Sequence, residues 1–256
     1  MRYVGVDLAW GQNGTTGLAV LDEDGRLLDA TAARTDEDIE AWAATWAPGR
    51  CMVAFDAPLV VRNPSGQRAC ERLVGRHFGR HRVYCHSSNT SNPQFADGGR
   101  AMRLAGRLRL DVDPASTAGR RALEVYPHTA IVVLLELPER LRYKAKPGRD
   151  TTLLRSEMLR LLDGLEALGA AEVPLRLDAS TSWARIRRAV TTATRKAHLA
   201  AVEDAVDAVV CAYVAALRAR APDRTRVLGT VADGYIVTPV TEEIARRVDA
   251  AGPGRP

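Results

Sequence analysis

Apolar residues along this chain come in short runs that stop at carboxylates. Tyr3-Val4-Gly5-Val6-Asp7-Leu8-Ala9-Trp10 reads as a buried strand over residues 2–10, followed by a glycine-rich turn from Gly11 to Gly17. Strands are expected again over 17–22 and 26–34, and the short glycine-containing connections make these three an antiparallel meander. Thr35 or Asp36 then caps a helix to about Trp46, acidic in its first turn. Cys51 to Asp56 is a fourth strand, which Ala57-Pro58 stops. The helix between strands three and four acts as a crossover and predicts a parallel pairing.

The periodicity then turns helical. Residues 66–79 and 98–109 read as helices around an aperiodic stretch, 81–97, of a length that usually carries function or lacks order. Arg121 to Pro127 is a fifth strand that delivers Glu124 just before a proline break, and His128 to Leu135 starts a short helix. A basic loop follows at 141–149, then an amphipathic helix at 150–163 with its leucines inward, then a weakly patterned stretch at 170–182. His198 to Ala219 is the strongest helix, with Glu203, Asp204 and Asp207 set beside its apolar face. Val227–Val231 and Tyr235–Val240 read as a hairpin, and 250–256 as a frayed tail. Together these elements predict an α/β fold, a mixed sheet covered by helices on both faces. Neither an internal repeat nor a domain boundary is visible. Residues 1–256 are therefore expected to form one domain, with an Arg-rich helical and loop insertion around 62–118.

Composition narrows the function classes. The 256 residues are 46% hydrophobic and 26% charged, as in ordinary globular proteins. No apolar run approaches the roughly 18–20 residues that span a bilayer, and the N-terminus carries no signal-peptide pattern. The expected location is the cytoplasm, with no membrane partner. Cys51, Cys70, Cys85 and Cys211 lack the close pairing of zinc ligands and read as reduced thiols. His77, His81 and His86 do not make a convincing metal geometry either.

Charge changes the picture more. The net charge is +5, and all basic residues but Lys144, Lys146 and Lys196 are arginine. Between Arg62 and Arg109 ten arginines stand against Glu71 and Asp97. Arg68, Arg72, Arg76 and Arg80 recur every fourth residue and would wind as one stripe along a helix. They have no carboxylate partners at i,i+4. With Lys146 and Arg149 of the basic loop, they are expected to hold phosphate. An alanine- and arginine-rich chain can equally reflect a GC-rich genome.

The repeated device is the strand that ends in an acid: Asp7, Asp56 and Glu124, joined by Asp204 and Asp207 from the late helix. If strands one, four and five lie side by side, these carboxylates share one rim. Like charges gathered there raise one another's pKa unless a cation neutralises them. Hard oxygen donors select Mg²⁺ or Mn²⁺, and two such ions serve phosphoryl transfer. The five acids are therefore the candidate metal ligands and catalytic residues.

In their order, Val-Gly-Val-Asp7, Val-Ala-Phe-Asp56-Ala-Pro58, Glu124-Val-Tyr-Pro127 and Glu203-Asp204-Ala-Val-Asp207-Ala resemble the DUF429 family, described as predicted nucleases of ribonuclease H-like fold. Arg68-Ala-Cys70-Glu71, Tyr143-Lys144 and Asp233-Gly234-Tyr235-Ile236 also look like that family. The resemblance covers most of the chain. It implies a five-stranded sheet ordered 3-2-1-4-5. The acidic late helix is also similar to the last motif of RuvC-type resolvases. By that analogy Asp7 bridges two metals, Asp56 or Glu124 holds one, and Asp204 or Asp207 the other.

The expected activity is thus metal-dependent phosphodiester hydrolysis on DNA or RNA, without sequence readout. An aromatic content of 5% argues against an extensive base-stacking platform. One alternative is nucleotide phosphotransfer of the sugar-kinase or actin-like ATPase type, with Gly11 to Gly17 as the phosphate loop. The other is a non-catalytic nucleic-acid-binding module. The pattern assigns no oligomeric state.

Overall fold

In the computed structural model, which describes residues 1–11 and 14–251, the meander is built as the alternation requires. Strands β1 (Arg2–Asp7), β2 (Thr16–Leu21) and β3 (Leu27–Ala33) pair antiparallel, and α1 (Asp36–Trp46) crosses to β4 (Cys51–Phe55). β4 lies parallel to β1, and β5 (Arg120–Glu124) parallel to β4, which gives the order β3-β2-β1-β4-β5. Thr35 caps α1 through a reciprocal pair of bonds with Asp38, worth about 1 kcal/mol for such a cap.

Successive strand residues face opposite sides of a sheet, and on β1 that alternation sorts the two helix layers. Val4 and Val6 pack with Ile39, Trp42 and Ala43 of α1. Gly5 faces α7 (Lys196–Arg220) so closely that a Cβ there would lie 1.8 Å from the Ala208 carbonyl oxygen. At Gly17 of β2 a Cβ would lie 1.9 Å from the Asp204 carbonyl oxygen. Two glycines therefore let α7 lie directly on the sheet, and that contact sets its acids beside the end of β1. From Ala205 to Leu217 every residue of α7 is buried, as expected of the helix that forms the centre of the core.

The insertion carries α2 (Ala69–Phe78) and α3 (Gly99–Arg107); α4 (Pro127–Leu134) follows β5 directly. α5 (Thr151–Ala167) and α6 (Thr181–Thr191) pack against α7. The terminal hairpin, β6 (Thr225–Thr230) and β7 (Gly234–Pro239), is a separate two-stranded ladder, bridged to the main sheet at Val125–Val237.

The weakly patterned 170–182 ends in α6, whose Trp183, Ile186 and Val190 are buried at helical spacing. Residues 250 and 251 belong to α8 (Glu242–Ala251) rather than to a frayed tail; residues 252–256 lie outside the described residues. α8 is a surface helix that buries only Ile244 of its own residues, so its hydrophobic signal is faint. Among the described residues, no helix is long and apolar enough to cross a membrane.

Candidate functional site

The register of the parallel strands separates the acids. Val6 pairs with Phe55, and the Asp56 amide donates to the Val6 carbonyl at 2.8 Å, so Asp7 and Asp56 stand side by side at the rim. Glu124 pairs with Phe55, one position short of Asp56, and strand alternation sends its side chain to the other face of the sheet. There it meets Arg68. The Arg68 guanidinium donates to Glu124 Oε1 at 2.5 Å and Oε2 at 2.9 Å, and the Leu59 amide donates to Oε2 at 2.9 Å. Arg68 Nε also donates to Glu71 Oε1 at 2.8 Å, and Ser88 N to Glu71 Oε2 at 3.2 Å. Every oxygen of the two glutamates that Arg68 touches is thus committed, and all three side chains are buried. Glu124 is placed as one half of a structural ion pair and does not join the aspartates.

The aspartates are neutralised differently. Asp7, Asp56, Asp204 and Asp207, with Glu203, gather round one ammonium, that of Lys144. Lys144 Nζ lies 2.5 Å from Asp207 Oδ2 as an ion pair, and Tyr143 donates to Asp207 Oδ1 at 2.7 Å. Asp207 has no exposed surface, so both its oxygens depend on Lys144 and Tyr143. Burial, opposed by Lys144 and reinforced by the neighbouring carboxylates, pushes Asp7 well above the usual range. The same forces lift Asp56 to about 7, Glu203 to about 7 and Asp204 to about 6. Asp7 and Asp56 lie close enough that each feels the other's charge, and like charges so placed favour a proton on one of them. Burial alone would lower Lys144. Asp207, Tyr143, Asp7 and Asp56 outweigh it and hold the ammonium firmly protonated.

Of these groups Asp7, Asp56 and Lys144 line a cleft of about 350 Å³, which Arg68, Glu71 and Glu124 also border, while Glu203, Asp204 and Asp207 stand behind it. Its walls include Arg82, Arg140, Lys144 and Lys146, and the loop 82–88 supplies one side. That aperiodic stretch is ordered by bonds back to the segment before α2: Thr90 N to Asn63 O at 2.9 Å and Asn89 Nδ2 to Gly66 O at 3.0 Å. A larger depression of about 1010 Å³ beside α8 shares no lining residue with this cleft and is walled by charges already paired, such as Arg80–Glu243 and Arg226–Asp249.

The arginine stripe does not exist as expected. Arg68 is buried in its ion pair, and Arg80 is held by Glu243 of α8; Arg72 and Arg76 are exposed. Much of the local excess is cancelled through space. Arg100 pairs with Asp36, Arg107 with Asp36, Glu37 and Glu40 of α1, and Arg82 with Glu139. Lys146 is exposed and lines the cleft, whereas Arg149 turns back to donate to the Lys144 carbonyl at 2.8 Å and braces the loop. The proposed phosphate loop contains Gln12 and Asn13, which lie outside the described residues. Its last glycine, Gly17, is explained by the approach of α7.

Sequence reasoning missed two residues of the site. Lys144 was visible only as part of the Tyr143-Lys144 pair. His128 lines the cleft, buried, with Nδ1 unpartnered, and burial together with Lys144 keeps it neutral. Among the described residues, no three Asp, Glu, His or Cys side chains already stand in an arrangement that would hold a metal. The donor chemistry nonetheless suits a hard divalent cation: crowded, protonated or under-paired carboxylate oxygens around a single counter-charge. No curated protein and no solved structure matches this chain. A family model does match residues 5–233, nearly the whole sheet and site, and on that basis the chain belongs to DUF429, a family described as being of unknown function.

Proposed function

We propose that this protein is a metal-dependent nuclease, hydrolysing phosphodiester bonds with Mg²⁺ or Mn²⁺ held by Asp7, Asp56, Asp204 and Asp207. One observation carries the reading: four aspartates from β1, the end of β4, and α7 gather round one lysine, whose ammonium pairs with the buried Asp207 and leaves the other three without a cation of their own. Such a cluster is stable only with protons or cations supplied to it. A bound divalent cation supplies Lewis acidity and an activated water.

The chain's own groups prepare that chemistry. Asp7 and Asp56 would hold the cation, which would take the place of the protons that burial and crowding favour on them. Tyr143 fixes the Asp207 carboxylate, so one ligand is oriented in advance. Lys144 and Lys146, with Arg140, draw the phosphate into the cleft, and neutral His128 adds no competing charge. Arg68 and Glu124 hold the 58–60 segment to β5 and keep the rim rigid. The four cysteines are unpaired, which fits the reducing cytoplasm.

The test is cleavage of labelled DNA and RNA with Mn²⁺, with Mg²⁺ and with EDTA. Wild type should cut with metal, whereas EDTA and Asp7→Asn should each abolish cutting. Equal cutting by Asp7→Asn, or none by wild type on any nucleic acid, would overturn the reading.

A further inference from the structure

We propose that the cleft beside the aspartates receives one unstacked nucleotide, so that the substrate is a single strand or an unpaired segment rather than a continuous duplex. This deepens the nuclease reading and rests on it.

Aromatic residues are scarce in this chain, at 5%, yet Trp10, Tyr84 and Tyr126 line this one cleft, with His86 beside them. They are too few for an extended platform and enough for one base. Tyr84 is the most telling. Large apolar side chains are exposed at only two described positions, and Tyr84, at 61%, is the more exposed of them. Its ring packs against Gly75 of α2 and Gly79 just after it, where a Cβ would meet ring carbons at 3.5 Å. Its hydroxyl donates to the Gly79 carbonyl at 3.2 Å, and the Tyr126 hydroxyl donates to its backbone carbonyl at 3.0 Å. A large aromatic surface is thus held in place and left uncovered. Holding it in advance lowers the ordering cost of binding.

Trp10 is fixed from two sides, edge-on to Phe95 at 5.0 Å and to His86 at 6.4 Å between ring centroids. Arg140 and Lys146 stand in the same wall for the backbone phosphates. A stacked duplex offers a protein only base edges and phosphates, so it cannot use such rings. A splayed base offers its face, and stacking on an aromatic ring is tolerant of sequence. A volume of about 350 Å³ lies at the small end of the roughly 300–1,000 Å³ typical of ligand sites, suited to a single nucleotide unit.

The experiment is fluorescence anisotropy with labelled oligodeoxythymidine and oligouridine, each also annealed to its complement, in EDTA and again with Ca²⁺. The strand should bind at least about tenfold tighter than its duplex. Tyr84→Ala should weaken strand binding about tenfold, within the range of one stacked base. Tyr84→Phe should keep wild-type affinity, and duplex binding should not change in either variant. Duplex bound and cut as well as the strand, with Tyr84→Ala unaffected, would overturn this proposal and leave the nuclease reading standing. Thymidine or uridine monophosphate competing at the same concentration as the strand would reassign the cleft to a free nucleotide. Binding of neither form, together with no cleavage, would remove both readings.

Discussion

Glu124 and Asp56 end neighbouring parallel strands, and each precedes a proline-containing break, yet their surroundings differ in kind. Glu124 meets an arginine that answers both its oxygens, and Arg68 is answered in turn by Glu71 and the Val60 carbonyl. Asp56 meets more acid: Asp7 beside it, Asp207 from α7, Glu124 on the next strand, and one lysine among them. The first group is complete without any ligand. The second holds protons because nothing else balances it. A strand that ends in a carboxylate therefore has two uses in this molecule, and the register of one residue pair decides which.

The comparison breaks most directly on stability. Removing one partner of a buried ion pair leaves the other charge stranded, at about 3–5 kcal/mol. Glu124→Gln should lose about that much in urea unfolding, whereas Asp7→Asn should be as stable as wild type or more so. Comparable losses in both variants would erase the distinction. Lys144→Met sharpens it. Without the ammonium, Asp207 is left unpaired, so the metal-free protein should lose up to about 3 kcal/mol. Mn²⁺ should recover that loss, which it should not do for Glu124→Gln.

The next effect is in pH. Asp56 and Glu203 titrate near 7 and Asp204 near 6, all above the value of about 4 expected in the unfolded chain. On raising the pH from 4 to 7 the unfolded state loses these protons first, so the folded state binds more and stability falls. The full contribution is present only below about pH 4 and is lost as the pH passes the folded values. The metal-free Tm should decline between pH 5 and pH 8, less steeply in Asp7→Asn. A Tm that rises over this window would contradict the crowding of the aspartates. The smallest effect is electrostatic. Lys146→Ala should lower the log–log salt slope of nucleic-acid binding by about one and weaken all sequences alike.

How much of this was legible in the sequence follows from what each feature depends on. Apolar alternation and the crossover helix predicted the antiparallel meander and a parallel pairing after it, because those are local signals; the full strand order was implied by the family resemblance. The aspartates were legible because each terminates an apolar run, and Asp204 and Asp207 lie three apart on a helix. Register is not local, so nothing in Glu124-Val-Tyr-Pro127 revealed that its acid turns to the opposite face. The pairing of Arg100 and Arg107 with the first turns of α1 spans more than sixty residues, and no i,i+4 rule sees it. Lys144 sits in a loop without periodicity. Tyr84 gave no signal either, since its placement depends on the bare backbone at Gly75 of α2 and Gly79 just after it.

The central claim is that the aspartate group, and not the glutamate pair, is the cation site. Thermal unfolding of wild type, Asp7→Asn and Glu124→Gln, with and without Mn²⁺, tests it most directly. At a hundredfold excess over Kd a ligand of the folded state adds about 2.7 kcal/mol. Wild type and Glu124→Gln should both gain by that order from Mn²⁺, and Asp7→Asn should gain nothing. A gain that survives in Asp7→Asn, or that is absent from wild type, would contradict the assignment.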